Sequence, residues 1–282
     1  MRLILSRKGF DSSAGGGPSP IFPDGSMLSL PIPDRRSPVR YSDLTWRGRN
    51  LGDLVSRLTN GEQRGDHRAH LDPDVRREQL PRKRGWRPSL GQVGAAQGHL
   101  RKQSVGVGDL FLFFGLFRSV DADLRPAGSR AHHIWGWLQV GEVAPVDDVV
   151  RRGGVHWRWA EQHSHFAFAP DASNALYVAA DQLTLPGLGR ARVPGAGAFE
   201  FASDERRLTA ADATGPTNWE LPVGFLPRGR PALSDHRDPG RWSRSRGRAR
   251  LRAVAKGQEF VLDLEQYPEL LGWLSRLFRP PA

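Results

Sequence analysis

The chain has no cysteine among its 282 residues, which excludes disulfides, thiolate metal sites and a cysteine nucleophile. It has no apolar run of about 18 residues, so no membrane-crossing helix is expected. The first apolar run, Leu3 to Leu5, is too short for a secretory signal, and a cytoplasmic location is the simplest expectation. Lysine is scarce: Lys8, Lys83, Lys102 and Lys256 stand among 41 cationic residues, the rest being arginine. Three motifs are also missing: the phosphate loop Gly-x-x-x-x-Gly-Lys-Ser/Thr, the nucleophile elbow Gly-x-Ser-x-Gly, and a Gly-x-Gly-x-x-Gly closing a strand. Kinase, α/β-hydrolase and Rossmann dehydrogenase readings fall with them.

What is present is positive charge. The formal net charge is +11, which favours a polyanionic partner such as nucleic acid or a nucleotide. The excess of Arg with Gly, Pro and Ala also fits a GC-rich genome of bacterial or phage kind, so part of the charge reflects codon usage. Clustering is the better signal. Arg82-Lys-Arg84-Gly-Trp86-Arg87 and Arg241-Trp242-Ser-Arg244-Ser-Arg246 interleave guanidinium with indole, a combination able to contact phosphates and stack on bases. Arg84, Trp86, Arg87, Trp242, Arg244 and Arg246 are the candidate nucleic-acid contacts, set against the simpler reading of a solvated charged face.

At the N-terminus the strand-like Leu3–Leu5 breaks into Ser6, Arg7, Lys8, Gly9, Asp11, Ser12, Ser13 and three glycines ending at Gly17. Loops of this composition at strand ends present N–H groups and cations to phosphate. Ser6, Arg7, Ser12, Gly15 and Gly16 are therefore candidate phosphate or nucleotide ligands. Lys8 and Asp11 are candidates for charge neutralisation and proton transfer.

The segments Ser6-Arg-Lys-Gly-Phe-Asp-Ser-Ser13, Ser19-Pro-Ile-Phe-Pro-Asp-Gly25 and Ser29-Leu-Pro-Ile-Pro33, with His70–Asp74, Gly91–Gln97 and Gly108–Gly115, resemble the third nucleotide-modification-associated domain family. The resemblance spans nearly the whole chain. It implies a place in nucleotide or DNA base modification, alongside partner proteins of such a pathway, and carries over no catalytic residues.

The organisation expected is one α+β domain over residues 1–282, with a β-rich centre and a few flanking helices. Residues 14 to 40 read as an ordered loop with one short strand, Met27 to Ile32. Leu51, Leu54, Val55 and Leu58 have helical spacing. Asn60 to Arg87 reads as surface loop. Ser89 is placed as the N-cap of a helix through Leu100, with Gln92, Ala95, Ala96 and His99 on one face that packs closely or lines a ligand site. Val105–Phe117 and His133–Glu142 read as buried strands, and their Gly-Asp start and Val-Gly-Glu-Val end resemble part of a PUA-like barrel. Further strands are expected at 175–179, 198–201, 221–225, 251–254 and 259–263, and a closing helix at 268–278.

His70-Leu-Asp72-Pro-Asp74 puts an imidazole and two carboxylates within five residues. His70 and Asp72 are candidates for general base and orienting acid, or for a divalent ion carried with a phosphate; a plain turn with Asp as a cap is the alternative. His132, His133, His156, His163 and His165 lack ligand spacing with a carboxylate on a recognisable helix, and His165–Phe168 reads as a strand. No metal site is expected of them. Trp135/Trp137 and Trp157/Trp159 have strand spacing, and Trp135, Trp137 and Gln92 are a candidate base pocket. Two functions remain: a phosphate- or nucleotide-binding base-modification factor, catalytic or accessory, or a reader of modified bases on a PUA-like barrel. The cofactor is left open.

Overall fold

The computed structural model describes residues 1–188 and 192–279. Its strongest element is the one with the most apolar sequence. The strand Leu110–Val120 buries its first eight residues without alternation, as a strand covered on both faces must. In chain order, the large sheet comprises β1 (Arg2–Arg7), β2 (Ser19–Ile21), β3 (Ser89–Gln92), β4 (Leu110–Val120), β5 (Pro126–Pro145), β6 (Ala175–Ala179), β7 (Ala196–Ala198) and β8 (Glu259–Asp263). Its spatial order is β8-β1-β4-β5-β6-β3, with β2 added to β4 and β7 to β5. β1 runs parallel to β4 and antiparallel to β8. The 20-residue β5 pairs first with β4 and then with β6.

Bulges at Phe113/Phe114 and Val178/Ala179 raise the local twist, and the sheet curls into a half-barrel. Gly141 is the unpaired residue of the second bulge, between Val140 and Glu142. A Cβ there would stand 2.7 Å from the Ala180 Cα, so only glycine lets the two backbones pass.

The helices are α1 (Leu51–Leu58), α2 (Gly94–Lys102), α3 (Val146–Arg152) and α4 (Leu271–Leu277). None among the described residues is long and apolar enough to cross a membrane. Asn50 caps α1, accepting from the Gly52 and Asp53 amides. A smaller antiparallel sheet joins Asn218–Pro222, Arg248–Arg252 and Trp242–Ser245. It shares the main core through Trp219, Leu221, Ala249 and Leu251. A second cluster gathers Phe10, Phe22, Leu28, Leu30, Tyr41 and α1.

Several sequence expectations are corrected. Met27–Ile32 is not one strand: Pro31 lacks a donor, Leu30 N–H is taken by Ser19 Oγ at 3.0 Å, and only Ile32 enters a strand, the two-residue Ile32–Pro33 paired with Ala69–His70. Ser89 begins β3 instead of capping a helix; its amide pairs with the Asp74 carbonyl at 3.0 Å and α2 starts at Gly94. Asn60–Arg87 is no mere surface loop, since Ala69, Leu71, Val75 and Leu80 are buried. Ser164–Phe168 and the stretch with Trp157 and Trp159 are 3-10 helices, not strands. Strands over Ala175–Ala179 and Glu259–Asp263 and the helix ending at Leu58 lie where the apolar spacing put them.

Two buried histidines give a pH dependence. Trp219 donates its indole N–H to His132 Nδ1 at 2.9 Å, which keeps that nitrogen unprotonated, and burial lowers the His132 pKa to about 3. Burial, then Arg207, lowers His133 to about 4. Folded pKa values below the unfolded 6.5 mean stabilisation that is complete above pH 6.5 and lost as pH falls through these values. Each group contributes a slope of up to about 1.4 kcal/mol per pH unit. Urea unfolding at pH 7 and pH 4.5 should show a loss that shrinks in the His132→Gln/His133→Gln variant; equal losses in both would contradict this account.

Candidate functional site

The end of β1 delivers Ser6 inward and Lys8 to the edge of a cleft of about 1000 Å³. Ser6 faces Glu259 across the β1–β8 pairing and donates to Glu259 Oε1 at 3.0 Å. Gln92, at the end of β3, donates to the same oxygen, and Lys8 Nζ stands 3.4 Å from it. Glu259 Oε2 is buried with no partner among the described residues. Burial pushes the Glu259 carboxyl up against the pull of Lys8, Ser6 and Gln92.

A second carboxyl sits beside it with the opposite bias. The Asp72 side chain is 3% exposed, and Lys8 Nζ lies 3.9 Å from its Oδ2. Gly91 N–H donates to Asp72 Oδ1 at 2.6 Å, and His163 Nε2 lies 3.4 Å from that oxygen. Burial pushes this carboxyl up, but His163, the Lys8 charge and His165 together outweigh it and hold the group well below the usual carboxylate range. Two neighbouring carboxyls displaced in opposite directions form the arrangement in which one gives and one takes a proton.

Three histidines surround Asp72. His70 Nδ1 pairs with Asp34 Oδ2 at 3.0 Å and its Nε2 faces Asp72 Oδ2 at 3.8 Å. His165 Nε2 is 3.7 Å from the same oxygen, its Nδ1 held by Asn174 at 2.8 Å. His70, Asp72 and His165 each offer a donor atom within 4.8 Å of the others, so these residues have the composition to hold a metal ion. The 3-10 turn over Ser164–Phe168 is what brings His165 inward.

Of the residues singled out by sequence, Lys8, Asp11, His70, Asp72, Arg7 and Gln92 all line this one cleft. Ala95, Ala96 and His99 of α2 form another wall of it, so that face lines the cavity as well as packing. Asp11 acts on its own loop: Oδ1 accepts from Ser13 N–H and Oγ at 2.7 Å each and from Ala14 N–H at 2.9 Å. The Arg7 guanidinium donates to the Ala255 and Val254 carbonyls at 2.6 and 3.2 Å. The five expected phosphate ligands do not form one cradle. Ser6 is buried on Glu259, while Ser12, Gly15 and Gly16 are not among the cleft-lining residues. Asp74 turns away into a two-pronged pair with Arg82 at 2.6 and 2.7 Å.

Trp135 and Trp137 do not join Gln92 in a base pocket. Trp135 packs on Phe113 with its N–H toward the Lys8 carbonyl, and Trp137 packs on Phe199 and Phe278. In the first basic cluster, Trp86 donates to Asp74 Oδ2 at 3.0 Å and Arg87 pairs with Glu142 at 3.0 Å, leaving Arg84 exposed. In the second, Trp242 donates to the His236 carbonyl at 2.7 Å. Arg244 and Arg246 are exposed and form no ion pair among the described residues.

Glu259 and Asp34 escaped the sequence reading, and His163 and His165, set aside there as metal ligands, stand around Asp72. The available signals were a carboxylate opening an apolar strand, Glu259-Phe-Val-Leu, and two histidines two residues apart.

Residues 2–263 match the family model described as nucleotide modification associated domain 3. No curated protein and no solved structure matches the chain.

Gly91 is the position on which the site's geometry turns. A Cβ there would stand 2.1 Å from the His165 ring, so Gly91→Ala should force the imidazole off Asn174 and Asp72. The expected outcome is a loss of about 1–3 kcal/mol in stability, together with a changed His165 imidazole signal in ¹⁵N NMR. An unchanged signal would show that the ring does not lie on this strand.

Proposed function

The chain belongs to the nucleotide modification associated domain 3 family, and from that premise we propose that its cleft binds a nucleotide, free or in DNA, and supplies general acid–base groups to a reaction at its base. The observation that carries this reading is the pair of buried carboxyls on either side of Lys8, Asp72 biased toward the anion and Glu259 toward the acid. Glu259 donates a proton, Asp72 stays charged, and Lys8 stabilises negative charge developing between them. Arg7, Arg36 and Lys256 also line the cleft and supply the cations that a phosphate needs. Arg36 already lies over the Phe168 ring at 3.8 Å, an arrangement that leaves an aromatic edge for a base to meet. The protein works in the cytoplasm, on DNA or the nucleotide pool, with other factors of the pathway.

A non-catalytic reader on a PUA-like barrel is the second reading. The exposed Arg244 and Arg246 at the tip of the small sheet favour nucleic-acid contact. The burial of Trp135 and Trp137 weighs against it.

The test is mass spectrometry of nucleosides from the DNA and nucleotide pool of cells carrying the gene with its neighbours. A modified nucleoside present with the wild type should fall about 100-fold or more with Glu259→Gln, in line with loss of a general acid. It should persist in Arg244→Ala/Arg246→Ala. An unchanged spectrum with folded Glu259→Gln protein would remove the catalytic reading and leave the reader.

A further inference from the structure

Around Asp72 the hydrogen-bond network assigns the histidine tautomers. Asn174 gives its Nδ2–H to the His165 carbonyl at 2.8 Å, which makes its Oδ1 the atom 2.8 Å from His165 Nδ1. An amide oxygen only accepts, so His165 Nδ1 carries the proton and Nε2 of the neutral ring is a bare lone pair. At His70, Nδ1 pairs with Asp34 Oδ2 at 3.0 Å, which turns Nε2 toward Asp72 Oδ2. His163 is the opposite case: its Nδ1 accepts the His165 amide at 3.3 Å, and its Nε2 lies buried 3.4 Å from Asp72 Oδ1 with no hydrogen-bond partner among the described residues.

Two ring nitrogens thus face one carboxylate oxygen, Asp72 Oδ2, at 3.7 and 3.8 Å. These separations are too long for hydrogen bonds, so no single proton reconciles the three atoms. Lys8 Nζ is no closer, at 3.9 Å. Two imidazole nitrogens and a carboxylate oxygen gathered within 4.8 Å of one another are a donor set that a metal ion can bridge. The spacing suits one: donors about 2.0–2.1 Å from a tetrahedral ion lie about 3.4 Å apart, a few tenths of an ångström inside these distances.

We propose that His70 Nε2, Asp72 Oδ2 and His165 Nε2 bind a divalent transition-metal ion, with Asp34 and Asn174 fixing the two rings. Carboxylate or amide oxygens on the far ring nitrogen are how proteins orient metal-binding histidines. Gly91 N–H donates to Asp72 Oδ1 at 2.6 Å, and Oδ2 is the oxygen that faces both rings. Two imidazoles and one carboxylate suit Zn²⁺ or Fe²⁺ over Mg²⁺ or Ca²⁺, which prefer oxygen. Three protein donors leave positions open, and His70, Asp72 and His165 all line the cleft, so the open side can meet a phosphate, a base or water. The inference deepens the nucleotide reading and rests on it only for what the ion is used for.

The test uses the full-length protein, stripped with chelator and titrated with Co²⁺, Zn²⁺ and anaerobic Fe²⁺, with Mg²⁺ as comparison. Bound metal is counted by equilibrium dialysis and mass spectrometry, and Co²⁺ is also followed by its visible absorption. One Co²⁺, Zn²⁺ or Fe²⁺ per chain is expected. His70→Ala and His165→Ala should weaken binding about 100-fold or more, Asp34→Asn about 10–100-fold, and the surface variant His156→Ala not at all. If the alanine variants do not fold, Asp34→Asn, which keeps the side chain's shape, decides alone. No uptake by the wild type, or uptake unaffected by Asp34→Asn, overturns the proposal. No nucleotide is present, so this failure is separate from a failure of the nucleoside experiment.

Discussion

One buried anion organises this protein. A carboxylate with its side chain 3% exposed costs several kcal/mol to desolvate unless donors meet it, and Asp72 draws donors from distant parts of the chain. Lys8 comes from the end of β1, the Gly91 amide from β3, and His163 from the turn before Ser164–Phe168. Each of these segments has a local conformation that makes sense only in that light. Position 91 has no room for a side chain beside the His165 ring, and the stretch after His163 coils as a 3-10 turn where its alternation of apolar residues would favour a strand.

The anion sits at a seam. Leu3, Ile4 and Leu5 belong to the core under the large sheet, whereas Phe10 belongs to the cluster around α1. The chain crosses between the two in Arg7, Lys8 and Gly9, and all three line the cleft. Two apolar cores thus carry the stability while the groove between them holds groups that burial penalises, Glu259 foremost among them. Such a division is what lets a site keep unsatisfied polar atoms without loss of the fold.

Most of the scaffold was legible because it is local. An unbroken apolar run signals a strand covered on both sides, and spacings of three and four signal a helix, whatever lies elsewhere. The first half of the site was legible for a related reason: Lys8, Asp11, His70 and Asp72 stand in short stretches crowded with reactive groups. Glu259, His163 and His165 were not, because their significance lies in contacts across more than 90 residues of sequence. Ser6 to Glu259 alone spans 253 positions. The arginine clusters pose the same difficulty. Whether a guanidinium is free depends on a partner the sequence does not identify, such as Asp74 for Arg82 or Asp212 for Arg250.

The pairing of β1 with β8 has a consequence in time. A ribosome adds about 5–20 residues per second, so Lys8 and Ser6 emerge well before Glu259 does. Until β8 docks, β1 lacks one neighbour, and the polar groups that will converge on Glu259 remain uncommitted. Contacts of such long sequence separation form late and slowly. A nascent or half-folded chain therefore lacks the cluster of Ser6, Lys8, Gln92 and Glu259, which assembles only when β8 docks.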